Sequence, residues 1–262
     1  MKNKEIESSE EIKIPELEIH GVWNRFNNWI NNIPHIFWIW SIIIFLALLV
    51  IFVPYNIWQD FWSSLKKQKI IAVLVLFFSL IAVSLVWSVG QRIDVWVFMY
   101  FNMHGRRKPW LDWMMLWFTQ MGNFIFAFGV ALILYLRGNH LLAFELIFGM
   151  LTLGLVVQFM KVLIHRTRPY IKLKNMRIVG SRASGQSFPS GHTSQAFFMA
   201  TLLLQYYHVN GYLWLGLYAI ALLVGITRIY VGMHYPRDII GGAIVGTTWG
   251  FLGVIVNSQI FG

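Results

Sequence analysis

The feature that most constrains this chain is a succession of apolar runs too long and too numerous for a soluble core. They cover residues 36–53, 70–89, 124–136, 141–164, 190–207, 212–230 and 238–256, separated by short polar or basic connections. About 20 apolar residues is the length an α-helix needs to cross bilayer hydrocarbon. Only helices and closed barrels satisfy every backbone polar group there. Seven such runs predict an all-α, polytopic membrane helical bundle. Composition agrees: 57% hydrophobic residues, 17% aromatic and a mean hydropathy of +0.60 lie outside the soluble range. No long linker or internal repeat divides the chain, so one helical membrane domain is expected.

Residues 1–35 should be an acidic, mobile tail. Glu5, Glu7, Glu10, Glu11, Glu16 and Glu18 crowd its start, and no apolar h-region follows as a signal peptide would require. Trp23, Phe26, Trp29 and Ile30 recur at helical spacing and predict a helix lying on the membrane surface. Residues 36–69 read as an extra N-terminal transmembrane helix with a basic loop, and 70–262 as a core of six membrane helices. Between 91 and 122, Trp96, Trp110, Trp113 and Trp117 alternate with Arg92, Arg106, Arg107 and Lys108, the pattern of interfacial helices at headgroup level.

Lys and Arg number 21 against 11 Asp and Glu, a net charge of +10. Because the basic residues sit between hydrophobic spans, anionic lipid or phosphate is the expected partner and nucleic acid is not. Oligomeric state is not legible. With no cysteine, the chain has no disulfide framework, thiolate nucleophile or Cys-ligated metal. Alternation of spans puts 91–122, 164–190 and 231–238 on one face of the membrane, and Lys66, Lys67, Lys69 and Arg137 on the other. Positive-inside counting pulls both faces inward. A loop whose charge is needed to bind phosphate need not report topology, so the lysine cluster decides, and the basic loops are expected on the extracytoplasmic face.

Three stretches carry chemistry. In Pro189-Ser190-Gly191-His192, Ser190 can cap a helix whose first N–H groups, at Gly191 and His192, have no intrahelical acceptor. An anion fits there. Gly191 has no side chain to hold it off, and His192 titrates in the range useful for proton transfer. A capped helix with an incidental histidine reads equally well from these four residues alone. Lys161 and Arg168 are seven residues apart, so on a continuing helix they share a face about 10 Å apart along the axis, with Pro169 ending the helix. Together they can surround a tetrahedral dianion; a lysine alone there would merely snorkel to headgroups. In the third stretch, Thr227-Arg228 is followed by His234 and Asp238, with Pro236 at the first position of a helix. Asp238 can then accept Nδ1–H of His234, leaving the Nε2 lone pair free for attack. The plainer reading is a helix-start Asp favoured by the dipole.

Taken together, Lys161-x6-Arg168-Pro169, Pro189-Ser190-Gly191-His192 and Thr227-Arg228-x5-His234-x3-Asp238 resemble the signature of the type 2 phosphatidic acid phosphatase family, related to vanadium haloperoxidases. The resemblance spans roughly 70–258, with Thr227 where the family usually has Ser. It implies a six-helix phosphatase core and a bacterial, multi-pass cell-membrane enzyme that hydrolyses a lipid phosphomonoester or diphosphate, without metal or other cofactor, through a phosphohistidine. His234 would be the nucleophile, Asp238 its orienting partner and His192 the acid and base. Lys161, Arg168, Ser190, Gly191 and Arg228 would hold the phosphate oxygens. By resemblance the substrate candidates are phosphatidylglycerol phosphate, phosphatidic acid and undecaprenyl diphosphate, with a glycerophospholipid phosphatase of the phosphatidylglycerophosphatase B type expected first and an undecaprenyl diphosphate phosphatase second. A haloperoxidase fits a bilayer poorly, and a non-catalytic lipid-binding or transport protein would have no use for every acid, base and nucleophile being present.

Overall fold

The computed structural model describes residues 69–104, 108–174, 176–182, 185–207 and 211–260, with side chains to 254. The expected tail and first span lie outside the described residues. Those described all belong to one unit, 65–262. They form helices α1 (Lys69–Ser84), α2 (Ser88–His104), α3 (Pro109–Gln120), α4 (Phe124–Leu136), α5 (His140–Ile164), the single turn α6 (Pro169–Lys172), α7 (Gly191–Tyr206), α8 (Tyr212–Tyr230) and α9 (Pro236–Ile260). No strand occurs among the described residues. The architecture is the all-α membrane bundle that the apolar runs predict.

Among the described residues, two stretches, His140–Lys172 and Tyr212–Tyr230, are apolar and long enough to cross a bilayer unaided. The bent pairs α1–α2 (94°) and α3–α4 (57°) raise the number to as many as four if each counts as one span. Apolar side chains face outward along these helices: Ile125, Leu136, Phe148 and Leu155 are each at least 70% exposed. In water that would be untenable; in lipid it is the required surface.

The α1–α2 bend corrects the expected second span, which ends at Ser84 and not near 89. The apolar sequence runs on through Val86 and Val89, but the α1 carbonyl end is captured from outside. Arg237 Nη1 donates to Ser84 O, and Gly90 leaves room for the same guanidinium, which a Cβ at 90 would approach to 2.6 Å.

At the centre lies α7, whose Phe198, Ala200, Leu202 and Leu204 are buried alongside Thr193, Ser194 and Thr201. It packs along α9 through glycines. A Cβ on Gly242, Gly246 or Gly250 would land 2.7 Å from Ser190 O, 2.1 Å from Ser194 O and 2.6 Å from Thr201 Cβ respectively. Small residues let two backbones approach where lipid offers no hydrophobic drive for association. That close approach brings the start of α7 against the start of α9, where the backbone N–H of Ser190 donates to Asp238 O at 3.0 Å. On the far side, α4, α5 and α7 share a core that includes Ala127, Leu146, Met150, Leu153 and Phe198.

Candidate active site

The three sequence stretches meet at one end of the bundle. Ser190 caps α7 as its sequence predicts: its Oγ accepts from Thr193 Oγ1 at 2.9 Å and, at 3.5 Å, from Thr193 N. The N–H groups of Gly191 and His192 therefore open the helix at its positive end. The α3–α4 corner presses against this turn, since a Cβ on Gly122 would meet His192 O at 2.6 Å. Gly191 is different: among the described residues a Cβ there would find only Val157 Cγ1, at 3.8 Å. Packing among the described residues does not require glycine at 191, which leaves space above it for something else.

The Lys161–Arg168 expectation is corrected. Helix α5 does not continue to Arg168: it ends at Ile164, and His165 turns into the left-handed region at φ 45°. Pro169 does not terminate that helix but opens α6, with Arg168 extended before it. The two cations are brought together by this turn, not by a shared helical face. Arg168 is buried and donates through Nε to Gly185 O at 2.9 Å and through Nη1 to Met233 O at 3.2 Å. Lys161 feels the charges of Arg168, Arg228 and Asp238.

The turn between α8 and α9 depends on Gly232, whose φ of +90° only glycine adopts readily. It lets Met233 N and His234 N both return to Arg228 O, at 3.0 and 3.2 Å. His234 is 2% exposed, and its Nε2 lies 3.3 Å from Arg168 Nη1. A guanidinium only donates. Nε2 is therefore the acceptor with the lone pair, and the ring proton sits on Nδ1, facing Asp238 Oδ2 at 3.5 Å. That separation is longer than a good hydrogen bond, so Asp238 orients the ring as a charge without gripping it. Burial, then the Arg168 and Arg228 cations, outweigh the pull of Asp238 and hold the His234 pKa down at about 3. In the free site His234 is a neutral imidazole.

Arg228, also buried, donates from Nη1 to Thr119 Oγ1 at 2.8 Å, while its Nε has no hydrogen-bond partner among the described residues. His192 lies within electrostatic reach of Arg228, His234, Lys161 and Arg168. All eight residues named from sequence thus converge, and the cations outnumber the one carboxylate. A buried cluster of that sign is built for a compact anion.

Sequence reasoning missed the supports. Asp238 is held by Arg166 Nη1 (2.6 Å), Ser187 Oγ (2.5 Å) and Tyr235 N (2.8 Å). Arg166 sits inside the first motif as an unassigned position, and its basic-loop setting was the only signal available. A second support staples the 165–190 segment to the bundle: Asn102 donates to Arg177 O (2.9 Å) and Tyr230 O (2.8 Å), and Asp112 accepts from Arg177 and from Tyr230 OH, each at 2.5 Å.

An all-α membrane bundle with such a site defines a multi-pass membrane protein that handles an anionic group at the end of its helices. The PAP2 superfamily profile matches residues 142–260. Phosphatidylglycerophosphatase B of Bacillus subtilis (strain 168) is 31% identical over 163 residues, covering 56% of this chain and 75% of its own. The undecaprenyl-diphosphatase BcrC of the same organism is 30% identical over 145 residues, 54% of this chain and 72% of its own. Among solved structures, the transmembrane PAP2-type phosphatidylglycerolphosphate phosphatase from Bacillus subtilis aligns with a TM-score of 0.62 at 25% identity, covering 72% of this chain and 96% of that one. The chain belongs to the PAP2 superfamily and is an integral membrane lipid phosphatase.

Proposed function

We propose that this site cleaves the terminal phosphate of a membrane lipid by way of a phosphohistidine on His234. The observation that carries the reading is the geometry at that ring: a neutral imidazole whose Nε2 lone pair points at Arg168 Nη1, a phosphate-type donor, with Asp238 behind Nδ1. When a phosphate dianion enters, Arg168 transfers its donor to a phosphate oxygen and Nε2 is released toward phosphorus. Lys161, Arg228, the Arg228 Nε without a partner, and the N–H groups of Gly191 and His192 take the remaining oxygens, with Ser190 holding the α7 turn in place. Charge spreading over the equatorial oxygens in the transition state is met by these fixed donors.

The steps balance. Nε2 of His234 bonds to phosphorus as the bond to the leaving oxygen breaks, and His192, which takes up a proton once the bound phosphate dianion offsets the cations around it, gives that proton to the leaving oxygen. Asp238 opposes the positive charge that develops on the His234 ring. His192, now neutral, takes a proton from water as the water attacks phosphorus; the P–N bond breaks, and phosphate and neutral His234 are left. Three cations supply the positive charge here, so the mechanism asks for no metal.

The substrate is a phosphomonoester or diphosphate whose tail stays in the bilayer. The similarity to phosphatidylglycerophosphatase B supports phosphatidylglycerol phosphate first, with phosphatidic acid and undecaprenyl diphosphate as the other candidates. We place the site on the extracytoplasmic face, with 1–35 as a tail and 36–69 as an additional N-terminal span. The test is phosphate release from a panel of these three lipids by purified protein in EDTA, with His234→Ala as control. Turnover in EDTA that His234→Ala abolishes supports the reading; metal-dependent turnover, or an active variant, contradicts it. Because the chain has no native cysteine, labelling of Lys174→Cys in intact cells by an impermeant reagent tests the face.

A further inference from the structure

We propose that Asp94 on α2 is a positioning residue for the reaction: acting through Arg166, it fixes the Asp238 carboxylate so that Oδ2 faces His234. The proposal rests on the phosphatase reading above and adds a residue from outside the three motifs and outside the profile-matched residues 142–260.

The Arg166 guanidinium lies between two buried carboxylates. Its Nη1 donates to Asp238 Oδ1 at 2.6 Å and its Nη2 to Asp94 Oδ2, while its plane covers the Tyr235 ring at 4.4 Å. Asp94 is 1% exposed and Asp238 0%. Asp94 is anchored in turn by Arg237, which donates to it from Nε at 2.7 Å and from its backbone N at 3.2 Å, and which is itself held at the α1–α2 bend by Ser84. A chain of alternating charge, Arg237–Asp94–Arg166–Asp238, therefore runs from that bend to the reacting histidine.

Two consequences follow from this order. With Oδ1 occupied by Arg166, the carboxylate of Asp238 cannot turn, and Oδ2 stays with Ser187 Oγ, Tyr235 N and the His234 ring. Asp94 also neutralises Arg166. Without it, the guanidinium would belong to Asp238 alone and compete with the cation that develops on His234 during attack. Asp94 reaches the phosphate through neither contact, so its loss should affect turnover and not substrate affinity. Misplacement of a reacting group by about 1 Å can cost on the order of a hundredfold in rate. A carboxylate still held by three other groups should lose less.

The experiment measures kcat and KM for phosphatidylglycerol phosphate in detergent for Asp94→Asn, Arg166→Gln, their double variant and Arg166→Lys, with thermal unfolding of each. Asp94→Asn should lower kcat about tenfold with KM within about twofold, and should have no further effect once Arg166 is Gln, the coupling expected of residues in one network. An additive loss in the double variant, a rise in KM matching the fall in kcat, or wild-type turnover in Asp94→Asn would overturn it. If Asp94→Asn does not fold, Arg166→Lys decides. It keeps the charge but not the fork, so kcat should fall at unchanged KM, and unchanged kcat counts against the proposal. His234→Ala separates this outcome from failure of the parent reading: if that variant still turns over, the phosphohistidine is wrong whatever Asp94 does.

Discussion

Substituting alanine for Gly246 perturbs the active site from two helical turns away. Its Cβ would stand 2.1 Å from Ser194 O and 2.9 Å from Ser194 C, both backbone atoms that cannot rotate aside. Ordinary contact begins near 3.4 Å, so α7 and α9 must part locally by about 1.3 Å. Overpacking of this kind costs roughly 1–3 kcal/mol. The larger consequence is catalytic. The same helix pair joins Ser190 N to Asp238 O, and so sets His192 and Gly191 against His234. A displacement on the order of 1 Å between reacting groups costs about a hundredfold, and kcat should fall by at least tenfold even after partial relaxation. The assay is lipid phosphate turnover beside thermal unfolding in detergent, with Gly154→Ala as control because among the described residues nothing lies within 4 Å of its Cβ. Gly246→Ala at wild-type rate and stability would refute the claim that this contact sets the site; equal damage from Gly154→Ala would refute its locality.

Gly191→Ala should do the reverse, leaving unfolding temperature unchanged while phosphate release falls at least tenfold, because among the described residues the nearest atom to a Cβ there is 3.8 Å away. Thr119→Val removes the acceptor of Arg228 Nη1; leaving that buried donor unpaired should cost about 1–3 kcal/mol in unfolding and raise KM. The lowered pKa of His234 keeps the nucleophile available in acid and makes folding stability depend on pH. Held at about 3, it stays neutral, so the acid limb of kcat/KM should follow the substrate's second phosphate ionisation, near about 6. Stability should fall as pH drops from about 6.5 toward 3, because the unfolded imidazole binds a proton that the folded one refuses, and His234→Gln should flatten that slope.

The helices and the site residues were legible for different reasons. Apolar runs give α4, α5 and α8 directly, since lipid demands them. Ser190 and Pro236 each carry a backbone preference strong enough to announce a cap or a helix start. Less visible was where an apolar run breaks for a tertiary reason. The α1–α2 bend is stabilised by Arg237, 153 residues from Ser84, and nothing between 83 and 89 reports it. The end of α5 at His165 is similar, since the residues that follow are drawn off by Ser187 N on Arg166 O (2.7 Å) and by Arg168 on Gly185 O. Asp94 and Arg166 were illegible as a pair because their meaning lies in a contact across 72 residues.

The central claim is tested most directly by trapping the intermediate. Protein mixed with lipid carrying a radiolabelled terminal phosphate and quenched in alkaline detergent should hold label that is stable to base, labile to acid and confined to the peptide bearing His234, with none in His234→Ala. Label on His192, or a wild type that turns over its substrate without ever becoming labelled, would mean that His234 is not the nucleophile.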